Sequence, residues 1–183
     1  MMMKVIKTKL QGCLVLEPTL FNDDRGYFFE SYNTNRFNDI VDQEVNFVQD
    51  NQSFSTRGVI RALHYQKGNN AQAKLIRVLN GVILDVAVDL RPHSKTYGEY
   101  FSVELSSENK KQLFVPRGFA HGFSVLSDTA EVLYKCDNYY NKESEGGIIY
   151  NDVTLNIDWK VSPEEIKVSE KDLILPTLKE ILV

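Results

Sequence analysis

The sequence predicts an all-β fold, a small barrel or jelly roll followed by a short helical tail, and three observations carry that expectation. Runs of alternating apolar and polar residues recur along residues 74–136. Glycine, proline, asparagine or serine stands between them, as turns require. Helical patterns are confined to two brief stretches.

The first helical stretch is 34–41, where Phe37, Ile40 and Val41 share one face. The clearest strand signal is 74–91, KLIRVLNGVILDVAVDLR, in which Asn80-Gly81 separates two β-branched-rich runs in the manner of a tight hairpin turn. In its second half Val82, Leu84, Val86, Val88 and Leu90 fall on one face, and Ile83, Asp85, Ala87 and Asp89 on the other. One face is oily and the other mixed, which suits a sandwich or barrel whose inner face carries chemistry. Further alternation follows at 100–105 (Phe101, Val103, Leu105), 112–115, 119–126 and 131–136. Near the end, Ser162-Pro163-Glu164-Glu165 has the form of a capping box with proline at the first helical position. No repeat, low-complexity tract or linker divides the chain, so residues 1–183 are expected to form one domain.

Composition narrows the function. A charged fraction of 25% with both signs mixed and a net charge of −4 describes a globular surface and argues against nucleic acid as a partner. A few arginines in one cleft would still attract an anionic small ligand. Cys13 and Cys136 are the two cysteines; their spacing suggests neither a disulfide framework nor a zinc site, and both are expected as free thiols. The start, MMMKVIKTKLQG, lacks the apolar stretch of a signal peptide, and no run reaches membrane-spanning length, so a cytoplasmic protein without membrane contact is expected.

The segments DDRGYFFE (23–30), VQDNQSFS (48–55), GVIRALHYQ (58–66), AQAKLIRV (71–78), VPRGFAHGFSVLSD (115–128), EVLYKCDNYY (131–140), EGGIIYNDVTLNIDW (145–159) and VSEKD (168–172) occur in this order. Together they resemble the dTDP-4-dehydrorhamnose 3,5-epimerase family from about residue 10 to 176. The resemblance implies a double-stranded β-helix (cupin) fold, a homodimer in which N-terminal strands are exchanged, and a reaction without metal or other cofactor. Its substrate would be a dTDP-4-keto-6-deoxyhexose on the way to dTDP-L-rhamnose. Departures are Ala62 at a common glycine, Tyr150 at a common tryptophan, and Lys67-Gly68-Asn69-Asn70 in place of a proline-containing loop. They leave substrate preference more open than reaction type, because neighbouring families invert a single centre.

Inverting a carbon beside a ketone needs a base on one face, stabilisation of the enolate, and an acid on the other face. The resemblance assigns the base to His64 and the acid to Tyr134; without it, each would read as an ordinary strand residue packed in a core. Asp172 resembles the carboxylate that holds the catalytic imidazole in one tautomer, although Ser169-x-x-Asp172 alone reads as a helix cap. Lys74 is expected beside Tyr134, lowering the ionisation constant of the phenol and neutralising charge on the ketone oxygen. Arg25, Arg61 and Lys171 match positions that contact phosphate and nucleotide, and Gln49, Asn51 and Glu145 match polar contacts to nucleotide and sugar. His121 matches a second histidine of the sugar pocket. Arg25 and Glu30 are implied to reach the site of the other subunit. Tyr139 or Tyr140 is expected to stack on thymine.

Many cupins hold a metal through two histidines one residue apart, a glutamate and a later histidine. Here Pro116-x-Gly118-x-x-His121 approaches the later motif, but Gln66 stands where the second histidine belongs and His93 follows Arg91-Pro92 in an expected loop. No metal site is expected.

Overall fold

The computed structural model describes residues 3–182; Met1, Met2 and Val183, the ends of the expected 1–183 domain, lie outside the described residues. The strands are β1 (Met3–Lys7), β2 (Leu14–Pro18), β3 (Phe21–Asp23), β4 (Gly26–Phe28), β5 (Gln49–Thr56), β6 (Ile60–Gln66) and β7 (Lys74–Asn80). They continue as β8 (Val82–Asp89), β9 (Tyr100–Ser106), β10 (Gln112–Val115), β11 (Phe119–Val125), β12 (Thr129–Cys136) and β13 (Glu145–Gly147). Helix α1 (Thr34–Val41) precedes β5, and the single turn α2 (Glu170–Leu173) lies near the end.

Two antiparallel sheets form a jelly roll of the cupin type, one ordered β1-β2-β10-β7-β12-β5 and the other β13-β6-β11-β8-β9; β3 and β4 make a separate ribbon. The sheets share a core: Val15, Ile76, Leu113 and Val132 from the first pack with Ile83, Ala87, Phe119 and Phe123 from the second. Alternation then dictates what the outer faces need. On the second sheet, Leu84, Val86 and Val88 point outward and are covered by Leu155, Trp159 and Leu178 of the C-terminal tail. On the first, Leu14, Leu75 and Phe114 are covered by Phe37 of α1 together with Val45. The oily face of β8 is thus its outer one, and the mixed face is inner, as the sequence predicts.

Helix α1 forms where expected. Asn33 caps it by accepting from the Arg36 N–H at 3.2 Å, and Asp42 ends it in the left-handed region at φ 51°. Two local expectations are corrected. Asn80-Gly81 does not close a hairpin: β7 pairs with β10 and β12, whereas β8 pairs with β11 and β9, so the turn carries the chain from one sheet to the other. The dipeptide encodes the positive φ of Gly81, 81°, and that requirement is the same at a hairpin and at a corner. At Ser162 the helical signal yields only the turn Pro163–Glu165 of 3-10 type, with the serine hydroxyl donating to Glu165 Oε2 at 2.8 Å instead of capping a backbone N–H. Among the family departures, Ala62 is fully buried with its methyl in the space that Gly122 leaves free, Tyr150 gives its carbonyl to Trp159 Nε1 at 2.7 Å, and Gly68–Asn70 is a 3-10 turn. No helix of the described residues is long and apolar enough to cross a membrane.

Candidate active site

A cavity of about 860 Å³ opens between the sheets, and its two walls carry different chemistry. From the β13-β6-β11 wall come Arg61, His64, His121 and Glu145; from the β7-β12-β5 wall come Gln49, Asn51, Lys74 and Tyr134; α2 brings Lys171 and Asp172 to the rim. Ten of the twelve residues expected at the site therefore line one space. His64 and Tyr134 stand on facing sheets.

His64 Nε2 lies 2.8 Å from Asp172 Oδ1 across 108 residues of sequence. Burial pushes the Asp172 carboxyl up, but hydrogen bonds with His64, the Ser169 hydroxyl and the Ala62 N–H outweigh it and hold the group below the usual carboxylate range. An ionised acceptor at this distance assigns the proton to Nε2 and leaves Nδ1 of a neutral imidazole with a free lone pair. The two readings of Asp172 turn out to be compatible: its backbone N–H is capped by Ser169 Oγ at 3.2 Å while its side chain reaches His64.

A second carboxylate–imidazole pair stands beside the first. His121 is the register partner of His64 between β11 and β6, and its Nε2 lies 2.7 Å from Oδ1 of the fully buried Asp85. Asp85 Oδ2 has no hydrogen-bond partner among the described residues. Sequence reasoning placed Asp85 on the inner, mixed face of β8 without giving it a role; a carboxylate in an otherwise apolar strand was the available signal.

Lys74 Nζ sits 5.8 Å from the centroid of the Tyr134 ring. The expected lowering of the phenol's ionisation constant is not found: burial, helped by Cys136, pushes Tyr134 upward, and only Arg61 opposes this. Lys74 is itself pushed below the usual lysine range by burial, against the attraction of Cys136, Asp85 and Glu145, so desolvation governs both groups. The consequence is a phenol that keeps its proton, beside an ammonium that gives it up more readily than usual.

The other end of the cavity is polar and partly open. Arg61 is aimed by Ser55 Oγ, which accepts from Nε at 3.0 Å. Gln49 Nε2 donates to Asn51 Oδ1 at 3.1 Å, and Asn51 Nδ2 reaches the buried thiol of Cys136 at 3.6 Å. Glu145 pairs with Lys171 at 2.7 Å and accepts from the Tyr140 hydroxyl at 3.0 Å. Tyr140 lines the cavity, whereas Tyr139 is not among the lining residues and is 67% exposed. Arg25 and Glu30 are not brought into this space: Arg25 bonds to Asp23 at the turn of the β3–β4 ribbon, and Glu30 pairs with Arg36 at 2.7 Å. Cys13 and Cys136 are both free and buried.

No group of three or more His, Cys, Asp or Glu side chains among the described residues is placed to hold a metal ion. Gln66 is engaged elsewhere, its Nε2 donating to the carbonyls of Asn70 at 2.6 Å and Tyr139 at 3.1 Å.

The family profile described as dTDP-4-dehydrorhamnose 3,5-epimerase matches residues 7–180. The dTDP-4-dehydrorhamnose 3,5-epimerase of Salmonella typhimurium is 50% identical over 184 residues, covering 100% of this chain and 99% of that protein. The crystal structure of the enzyme of the same name from Elizabethkingia anophelis superposes with a TM-score of 0.95 at 54% identity, covering 97% of each chain. A dTDP-6-deoxy-D-glucose-3,5-epimerase from Legionella pneumophila, solved in complex with dTDP-4-keto-L-rhamnose, gives a TM-score of 0.94 at 44% identity over 98% of this chain and 95% of that one. A full-length match of sequence, fold and family profile leaves one assignment: this chain belongs to the dTDP-4-dehydrorhamnose 3,5-epimerase family, whose members are isomerases.

Proposed function

We propose that the protein inverts C3 and C5 of dTDP-4-dehydro-6-deoxy-D-glucose, giving dTDP-4-dehydro-L-rhamnose, with His64 as base and Tyr134 as acid. The observation that supports these roles is their position: an imidazole oriented by Asp172 and a protonated phenol face one another from opposite sheets across one cavity. The C4 ketone acidifies the hydrogens on C3 and C5. His64 Nδ1 removes one of them, the pair of electrons moves into the ring as an enolate, and negative charge collects on O4. The Lys74 ammonium, 5.8 Å from the centroid of the Tyr134 ring, stabilises this charge. Tyr134 then returns a proton from the other face; His64 gives its proton to solvent and Tyr134 regains one from solvent, and the same cycle at the second carbon completes the inversion.

Arg61 and Lys171 are the cations available to the diphosphate, Tyr140 is the ring available to thymine, and His121, Gln49, Asn51 and Glu145 offer polar contacts to sugar and nucleoside. Arg25 and Glu30, outside the cavity of their own chain, are assigned to the cavity of a partner in a homodimer formed by exchange of N-terminal strands. The exposed aromatic side chains of the ribbon, Phe21, Tyr27 and Phe28, support that placement. We place the enzyme in the cytoplasm.

The test is incubation with the 4-keto sugar nucleotide in D2O, followed at C3 and C5 by NMR. Deuterium is expected at both positions with inverted product; label at neither would overturn the proposal. His64→Ala should abolish exchange and turnover, whereas Tyr134→Phe should retain exchange and lose inversion.

A further inference from the structure

Gln66 ends β6 two residues after His64, at the place where a metal-binding cupin carries its second histidine. Its buried amide is fully used in another way. Besides the two carbonyls it donates to, its Oε1 accepts from the Asn141 N–H at 2.6 Å, so Gln66 grips the 139–141 loop on both sides of Tyr140. The turn at 67–70 adds to this grip: Asn138 Nδ2 donates to the Asn69 carbonyl at 2.9 Å, and the Lys67 N–H bonds to the Ser144 carbonyl at 2.9 Å. Gln49 Oε1 accepts from the Tyr140 N–H itself at 3.0 Å. Tyr140 stays 56% exposed although its backbone is fixed, which is the state expected of a ring that waits for a planar ligand.

We propose that Gln66 and the 67–70 turn are the positioning device for the nucleotide end of the cavity, presenting Tyr140 to the base and thereby setting the affinity for dTDP. This deepens the epimerase reading and rests on it for the identity of the base. Gln66 is a positioning residue: it acts through Tyr140 and leaves the proton transfers at His64 and Tyr134 alone.

Binding of dTDP by titration calorimetry and steady-state kinetics of Gln66→Met, which keeps the shape of the side chain and removes its three hydrogen bonds, test this. The expected result is about tenfold weaker dTDP binding and a similar rise in KM, with kcat at saturation within twofold of the parent. Tyr140→Ala should weaken dTDP binding alike, and the double variant should bind no worse than Tyr140→Ala alone. Unchanged dTDP affinity in Gln66→Met, a fall in kcat at unchanged KM, or additive losses in the double variant would overturn the proposal. Asn138→Ala, which loses only the ties to Asn69 and to the Tyr139 N–H, is read in parallel and should weaken dTDP about threefold; unchanged binding there overturns the role of the turn even where Gln66→Met fails to fold. Because dTDP binding is read without turnover, a parent protein that binds dTDP but exchanges no deuterium would sink the epimerase reading and leave this one standing.

Discussion

Asp172 does two jobs with one peptide unit, ending a cap through its N–H and orienting His64 through its carboxylate, and each is open to measurement. Asp172→Asn keeps the shape but no longer fixes the tautomer, so kcat should fall by on the order of 10²–10⁴ with little change in KM. The same pairing links activity to stability. Because the folded Asp172 is held below its ordinary value, its contribution is present above about pH 3.9 and is lost as the pH falls through the lower native value. Lys74 sets the alkaline side: burial lowers it, so kcat/KM should decline on a limb below the ordinary lysine range of about 10.4 as the ammonium loses its proton. A pH profile of the parent against Lys74→Met, which should lose that limb and on the order of 10²–10³ in kcat, checks this. Sequence alone left Asp172 between cap and partner because its contact spans 108 residues, and it gave the wrong direction for Tyr134 because proximity of a cation is visible in a motif while desolvation is not.

At the scale of elements, the strands that sequence resolves are those with one regularly apolar side. The mixed face of β8 and the alternation of β9 to β12 were legible because one side of each packs in the shared core. Strand β5 was not: Gln49, Asn51 and Ser53 line the cavity and Ser55 on the same face is buried, so the apolar period that marks a strand is missing where the site is built. The Asn80-Gly81 misreading has a different cause, a local requirement read as a pairing. It also yields a prediction. A Cβ on Gly81 would meet the Thr129 carbonyl oxygen at 2.1 Å in a left-handed backbone, so Gly81→Ala should destabilise by roughly 2–4 kcal/mol, seen as a lower thermal midpoint. A midpoint within a degree of the parent would show that the corner is not fixed by this contact.

For the molecule as a whole, the two sheets divide the labour. One holds the imidazoles, the other the phenol and the ammonium, and the coverings of α1 and the tail leave the inner space free for chemistry. Sedimentation velocity should give twice the 21.0 kDa mass of the chain, and Arg25→Ala should raise KM at least tenfold while leaving the thermal midpoint within about a degree, since its ion pair with Asp23 is exposed. A fully active single-chain species would sink the shared-site arrangement. The distance between His64 and Asp172 along the chain has one further consequence, concerning time. All thirteen strands of the described residues are synthesised by Gly147, yet the carboxylate that pairs with His64 comes 25 residues later, on a tail that also seals the outer face of the second sheet. A nascent chain acquires its strands first and the partner of His64 last, so a product cut short before α2 would keep both walls of the cavity but lack Lys171 at its rim and the carboxylate that pairs with His64.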